Sequence, residues 1–300
     1  MPFNVINGVP LLFIHIPKTG GTSIKKYFDF QISGHETLQD FLYHLDQGQI
    51  LLHANEEYGG DPQKFQTWKT ALDDVSVELF KKSRKDNRHP FHGLFKFSFV
   101  RNPWDRATSL YYYHKEDFGR LGTFSEFIND VKHRKGKIFD PSVPTVLRLT
   151  QTQYLSIGDI CDKVSQNSFI KSLTSTEQGK PEYDGFHPRR GTSSRLMIDY
   201  IGRLETVTHD VKNICQLLDA AFNGGDRYWM NNRGEFTQHE RKSMNNEKRY
   251  TNMYKDFDSI YTVFDYYYDD VVNFNYTFSG TPNCEITKEC FRIKAQENAS

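Results

Sequence analysis

Near the start of the chain a lysine, two glycines and three hydroxyl residues stand side by side. The run Lys18-Thr19-Gly20-Gly21-Thr22-Ser23 follows an apolar stretch, Leu11-Leu12-Phe13-Ile14, through His15-Ile16-Pro17. A strand that ends in such a turn and continues as a helix is suited to hold an anion. Glycines let the backbone approach closely, the amides leading the helix point at the ligand, and Lys18 adds a mobile positive charge. Taken alone, the same residues also fit a plain turn followed by a helix cap. A second junction of this kind lies further on. Leu94 to Val100, with FKFSFV at its centre, reads as a strand and runs into Arg101-Asn102-Pro103-Trp104-Asp105-Arg106. Asn102-Pro103 punctuates the strand end, and Arg106, Ser109 and Tyr113 share one stripe of the helix that follows. Arg101 then sits at a strand's carboxyl end, where open α/β sheets bind ligands. In a parallel sheet the two junctions converge on one crevice, and the ligand that fits both carries two phosphate-like groups.

These residues need a sheet to carry them and helices to cover it. A chain of 300 residues is long enough for one substantial core with an elaborated lobe. The pattern predicts a strand over 10–16, a helix from Thr22, and further helices over 40–52 and 63–80, the last through Phe65, Trp68, Leu72, Val75 and Leu79. The polar run from Lys81 to Arg88 reads as a solvated loop. Lysine and arginine (38) balance aspartate and glutamate (38), which argues against a protein built to coat nucleic acid or an acidic membrane. Any basic site must be local. Cys161, Cys215, Cys284 and Cys290 are too scattered for a disulfide scaffold or a close metal pair, although Cys284 and Cys290 could bridge in an oxidising compartment. The sequence shows no basic and apolar leader and no run approaching the roughly 20 apolar residues that span a bilayer. The expectation is a cytoplasmic enzyme with no metal site. In that setting the acceptor-like triplets at Asn275 and Asn298 carry no meaning.

The pair HIPKTGGTS and FVRNPWDRATSLY resembles the two cofactor signatures of sulfotransferases that use 3′-phosphoadenosine 5′-phosphosulfate (PAPS), particularly those acting on carbohydrates. The resemblance implies a P-loop-like three-layer α/β fold with a central, mainly parallel sheet flanked by helices. It assigns Lys18, Thr19, Gly20, Gly21, Thr22 and Ser23 to the 5′-phosphosulfate, and Arg101 and Ser109 to the 3′-phosphate. Neither segment is a Walker A loop, because Lys18 precedes its glycines instead of following them. Ile201-Gly202-Arg203-Leu204-Glu205 with Asp210, and Asp270 with Phe274 and Tyr276, resemble later family segments. The likeness makes residues 1–276 a catalytic domain with acceptor-site insertions and leaves 277–300 as a tail.

Sulfuryl transfer requires a base for the acceptor hydroxyl and a cation for the charge that grows on the departing oxygen. Lys18 fits the second task. For the first, His35 in Gly34-His35-Glu36 resembles the Gly-His segment of uronyl and heparan 2-O-sulfotransferases, whose histidine is the proposed base. Thr37 and Asp40 form a capping-box-like pair that would fix the loop presenting it. His15 reads as a packed strand residue, and Glu36 is a second candidate base. Arg106 either contacts the nucleotide or pairs with Asp105 or Glu205. Trp104 and Tyr111-Tyr112-Tyr113 read as packing residues outside the site. Arg148, Gln151, Gln153 and Tyr154, with His187, Arg189 and Arg190 in the irregular stretch 174–195, are candidates for the acceptor side, and Lys242 and Arg249 for the nucleotide. The aromatic stripe from Tyr250 to Phe274 reads as core-facing. The leading reading is a transferase that sulfates a carbohydrate or other small hydroxyl acceptor. A P-loop nucleotide kinase-like enzyme, which would need Mg²⁺, and a non-catalytic glycan- or nucleotide-binding protein remain open alternatives.

Overall fold

The computed structural model describes residues 3–6, 9–30, 35, 37, 38, 40–42, 70, 74, 77–79, 81, 82, 85, 90–118, 122–133, 149–157, 195, 196, 198–222, 234–236 and 250–299. Among the described residues the main sheet has four strands: β1 (Phe3–Ile6), β2 (Val9–Ile14), β3 (Phe95–Val100) and β6 (Tyr200–Arg203), hydrogen-bonded in the order β1-β2-β3-β6. β1 pairs antiparallel with β2, whereas β2, β3 and β6 run parallel, with Ile14 opposite Ser98 and Val100 opposite Arg203. The α/β class with a mainly parallel sheet is therefore observed. The edge strand β1 is an addition that the sequence patterning did not suggest. A two-stranded ladder joins β4 (Ser156–Ile157) and β5 (Arg195–Leu196).

Strand alternation decides which side chains meet which layer. Leu11 and Phe13 of β2, with Phe95, Phe97 and Phe99 of β3, point to one face and pack on Ile24 of α1 (Gly21–Tyr27) and on Val211, Ile214 and Leu218 of α5 (Val207–Phe222). Leu12, Ile14 and Val100 point to the other face, where Leu38, Phe41, Tyr154 and Phe274 cover them. The sheet is thus covered on both faces, as a parallel sheet must be.

A second, tyrosine-rich core lies to the side of the sheet. It joins α2 (Pro103–Phe118), α3 (Phe124–His133), α6 (Phe257–Tyr266), α7 (Tyr268–Asn273) and α8 (Glu285–Glu297). In α3, Phe124, Phe127, Ile128 and Val131 form the apolar stripe, and Thr123 and Glu126 exchange capping bonds at its start. The aromatic stripe does face the core: Tyr254, Phe264, Tyr267 and Phe274 are buried, and Phe257 is its exposed member. The segment over 257–273 is two helices, broken at Tyr267. Residues 277–284 turn the chain into α8, which buries Cys290 and sets Phe291 against Phe264. Cys284 and Cys290 are unbridged. Most of the stretches expected to form helices over 40–52 and 63–80 lie outside the described residues, as do Cys161 and all of 174–194. Among the described residues no helix is long and apolar enough to cross a membrane.

Candidate active site

The turn after β2 is made by backbone conformation. Lys18 and Gly20 both have left-handed φ angles, 69° and 82°, which a glycine adopts without strain and a lysine does not. Gly21 has no room for a side chain, because a Cβ there would lie 1.9 Å from Nε2 of His15. The amides of Ser23 and Ile24 fold back on the Gly20 carbonyl to begin α1. Thr19 is fully buried and spends its hydroxyl on the Ile16 carbonyl at 2.9 Å, so its side chain braces the turn from within. Thr22 is exposed, Ser23 is buried and Lys18 is half-buried.

The turn after β3 is made by side chains. The buried amide of Gln151 accepts from the Arg101 N–H at 2.7 Å and donates to the Arg101 carbonyl at 2.8 Å. Asn102 donates its amide N–H to Glu205 at 2.7 Å and its side-chain N–H to the Thr277 carbonyl at 2.8 Å, while its side-chain oxygen caps the amide of Trp104. The Arg101 guanidinium grips Asp105 through two bonds, Nε to Oδ2 at 2.7 Å and Nη2 to Oδ1 at 2.8 Å. α4 (Gln151–Leu155), which supplies Gln151, is itself anchored by Asp270, whose carboxylate accepts from the amides of Gln151 and Thr152. Burial pushes the Asp270 carboxyl up, against the opposing pull of Arg106 and of those two amides.

The two turns touch. Arg101 donates through Nη1 to the Lys18 carbonyl at 3.1 Å. Arg106, fully buried, donates to the carbonyls of Pro17 at 3.2 Å and Leu149 at 3.1 Å. It therefore does not pair with Asp105 or Glu205, and its Nη1 is buried with no hydrogen-bond partner among the described residues. Asp105 belongs to Arg101, and Glu205 accepts from Asn102 and Tyr276. One turn or two along the same stripe of α2, the Tyr113 ring lies beneath the Lys18 ammonium, 4.5 Å from ring centroid to Nζ. Ser109 is half-buried between these two contacts along the helix and therefore shares the face turned to the Lys18 turn. Tyr113 is the site neighbour that sequence reasoning placed among packing residues. Its i,i+4 spacing from Ser109 was the signal that could have found it. Trp104 and Tyr111 are buried packing residues, as expected.

Arg101 has five N–H donors and the described residues take three, which leaves among them one on each terminal nitrogen for an anion held in a fixed orientation. Together with the close backbone approach at Gly21, these groups fit a doubly anionic nucleotide.

His35 comes to the same place. Its Nδ1 lies 3.0 Å from the His15 carbonyl, and its ring packs on the His15 ring with centroids 4.2 Å apart. A carbonyl can only accept, so Nδ1 carries the proton and the lone pair of the neutral ring is on Nε2, as a base requires. The expected cap beside it is present, since Thr37 and Asp40 bond each other's amides at 2.9 and 3.2 Å. His15 is buried between Phe13 and His35, a packed strand residue as expected.

The acceptor-side cluster is corrected. Gln151 holds Arg101 and Tyr154 is fully buried, so neither lines an open surface, while half-buried Gln153 completes a capping box with Thr150. Glu36, Arg148, His187, Arg189, Arg190, Lys242 and Arg249 lie outside the described residues. Among the described residues no group of three or more histidine, cysteine, aspartate or glutamate side chains is gathered to hold a metal ion.

Comparison with known proteins matches residues 2–277 to the Sulfotransferase family. No curated protein and no solved structure matches the chain. The match spans both turns, the sheet and the closing helices, and the chain belongs to the sulfotransferase family, with PAPS as its sulfuryl donor.

Proposed function

We propose that the protein transfers the sulfuryl group to a carbohydrate hydroxyl, with Lys18 and His35 as its catalytic residues. The observation that carries this reading is the bond from Arg101 to the Lys18 carbonyl, which puts both cationic turns at one end of the parallel sheet. When bound, PAPS supplies the sulfuryl group and a phosphate leaving group. The Lys18 turn, Thr19 to Ser23, cradles the 5′ end through backbone amides and the hydroxyls of Thr22 and Ser23. Arg101 and Ser109 hold the 3′-phosphate. Nε2 of His35 takes the proton of the acceptor hydroxyl, and the Lys18 ammonium offsets the negative charge that develops opposite it. The carbohydrate acceptor follows from the likeness of the His35 segment to uronyl and heparan 2-O-sulfotransferases and from the position of that ring beside the Lys18 turn.

Two measurements test this. Adenosine 3′,5′-bisphosphate in EDTA should raise the melting temperature, by the equivalent of about 2.7 kcal/mol at a hundredfold excess over Kd, while ATP with Mg²⁺ should do little. The reverse pattern would favour a nucleotide kinase. Labelled sulfate should pass from PAPS to members of an oligosaccharide panel and be lost in His35→Ala. Binding without transfer to any glycan would point to a binding protein, and transfer only to non-sugar hydroxyls would remove the carbohydrate assignment.

A further inference from the structure

Lysine is a compact charge on a flexible stem, and a reaction that depends on its position needs something to restrict it. At Lys18 the backbone is left-handed, with φ 69°, and its carbonyl is held by Arg101 at 3.1 Å. Beyond the backbone, the ammonium lies 4.5 Å from the centroid of the Tyr113 ring. The last two restraints come from α2 and from the turn that leads into it. We propose that Tyr113 is a positioning residue for Lys18: its ring seats the ammonium before the donor arrives and releases it to the anionic oxygen that leaves.

The chemistry of the partner suits this task better than a carboxylate would. An aromatic face attracts a cation through its quadrupole but carries no net charge. It therefore restricts the side chain without competing strongly against a phosphate oxygen, whereas an aspartate or glutamate would form an ion pair that the donor has to break. Arg101, by contrast, is paired with a carboxylate and keeps its grip on Asp105. The ring contact of the lysine that must act on a changing charge is with a neutral surface, and the arginine that holds a constant charge is fixed by an anion. Tyr113 stands one helical turn beyond Ser109, so the element that carries the 3′-phosphate residues also sets the lysine for the 5′ end.

This inference rests on the proposed role of Lys18, and the experiment separates the two. With lysines reductively methylated using ¹³C-formaldehyde, the Lys18 signal, identified by its loss in Lys18→Arg, should be shifted upfield by the ring in wild type and in Tyr113→Phe. It should lose that shift in Tyr113→Leu and move when adenosine 3′,5′-bisphosphate is added to wild type. In turnover, Tyr113→Leu should lower kcat about tenfold with donor KM unchanged, and Tyr113→Phe should restore it to within about threefold of wild type. In a Lys18→Ala background, Tyr113→Leu should cost nothing further, as expected when one residue acts through the other. An unshifted lysine signal, a wild-type kcat in Tyr113→Leu, or an undiminished Tyr113 effect without Lys18 each overturns the inference. Failure of wild type to bind the bisphosphate or transfer sulfate would instead sink the functional reading, with the ring-current contact still measured on its own.

Discussion

The two turns that meet at the candidate site are built by different means. The Lys18 turn owes its shape to backbone conformation over four residues, with left-handed Lys18 and Gly20 and a Gly21 that has no space for a Cβ. The Arg101 turn owes its shape to partners recruited from 50, 103 and 175 residues away, namely Gln151, Glu205 and Thr277. The first is a local device that a single methyl group can block. The second is a distributed one, in which each bond is replaceable in part by the others.

That contrast can be broken most sharply at Gly21. Gly21→Ala would drive its Cβ into the buried His15 ring, with an expected loss of about 3 kcal/mol in stability and no measurable heat of bisphosphate binding in calorimetry. An alanine that bound the nucleotide normally would show that the turn is not the rigid cradle described. Next in size is Lys18. Lys18→Ala should lower kcat about a hundredfold, in the range set by removal of a charge-stabilising donor, with little change in melting temperature. Lys18→Gly should lose as much turnover yet be about 1 kcal/mol more stable, because glycine relieves the left-handed backbone. Equal stability of the two variants would argue against strain at this residue.

The distributed turn should yield more gradually. Gln151→Leu leaves the Arg101 N–H and carbonyl without their partner, at a cost of about 2 kcal/mol in denaturant unfolding. It should weaken adenosine 3′,5′-bisphosphate binding about tenfold while leaving adenosine 5′-monophosphate binding nearly unchanged. An equal loss for both nucleotides would mean that Gln151 supports the whole site and not the 3′-phosphate end. The smallest effect is a pH dependence at the anchor of this turn. Burial raises the Asp270 carboxyl above its ordinary range, partly offset by Arg106 and the two amides it holds. Its contribution to stability is full below the ordinary carboxylate value, about 4, and is lost as pH rises through its raised native value. Urea midpoints measured from acid to neutral pH should therefore fall less steeply in Asp270→Asn than in wild type. Identical slopes would remove Asp270 from the titrating groups.

The same division marks what could be read from the chain. The strands around Phe13 and Phe97, the start of α1, the Thr37–Asp40 cap and the paired turns were legible because each is set by neighbours a few residues apart. Gln151 was misread as an acceptor contact, since its type and setting suit a sugar as well as a main-chain clip, and only the packing of α4 against Asp270 aims it at Arg101. Arg106 was ambiguous for a similar reason: a buried guanidinium has five donors and takes whichever carbonyls the fold presents, here those of Pro17 and Leu149.

Sequence alone determined that the chain has two cationic strand-to-helix turns on an α/β sheet, because period-two alternation, glycine and proline placement and charge are local properties of the polymer; its place among the sulfotransferases rests on the resemblance of those two turns to the family's signatures and on the family match. The tertiary structure decided which groups are spent on holding the site and which are left to act. The reason is that a hydrogen bond between residues a hundred positions apart depends on the path of the whole backbone between them, and no short stretch of residues carries that information.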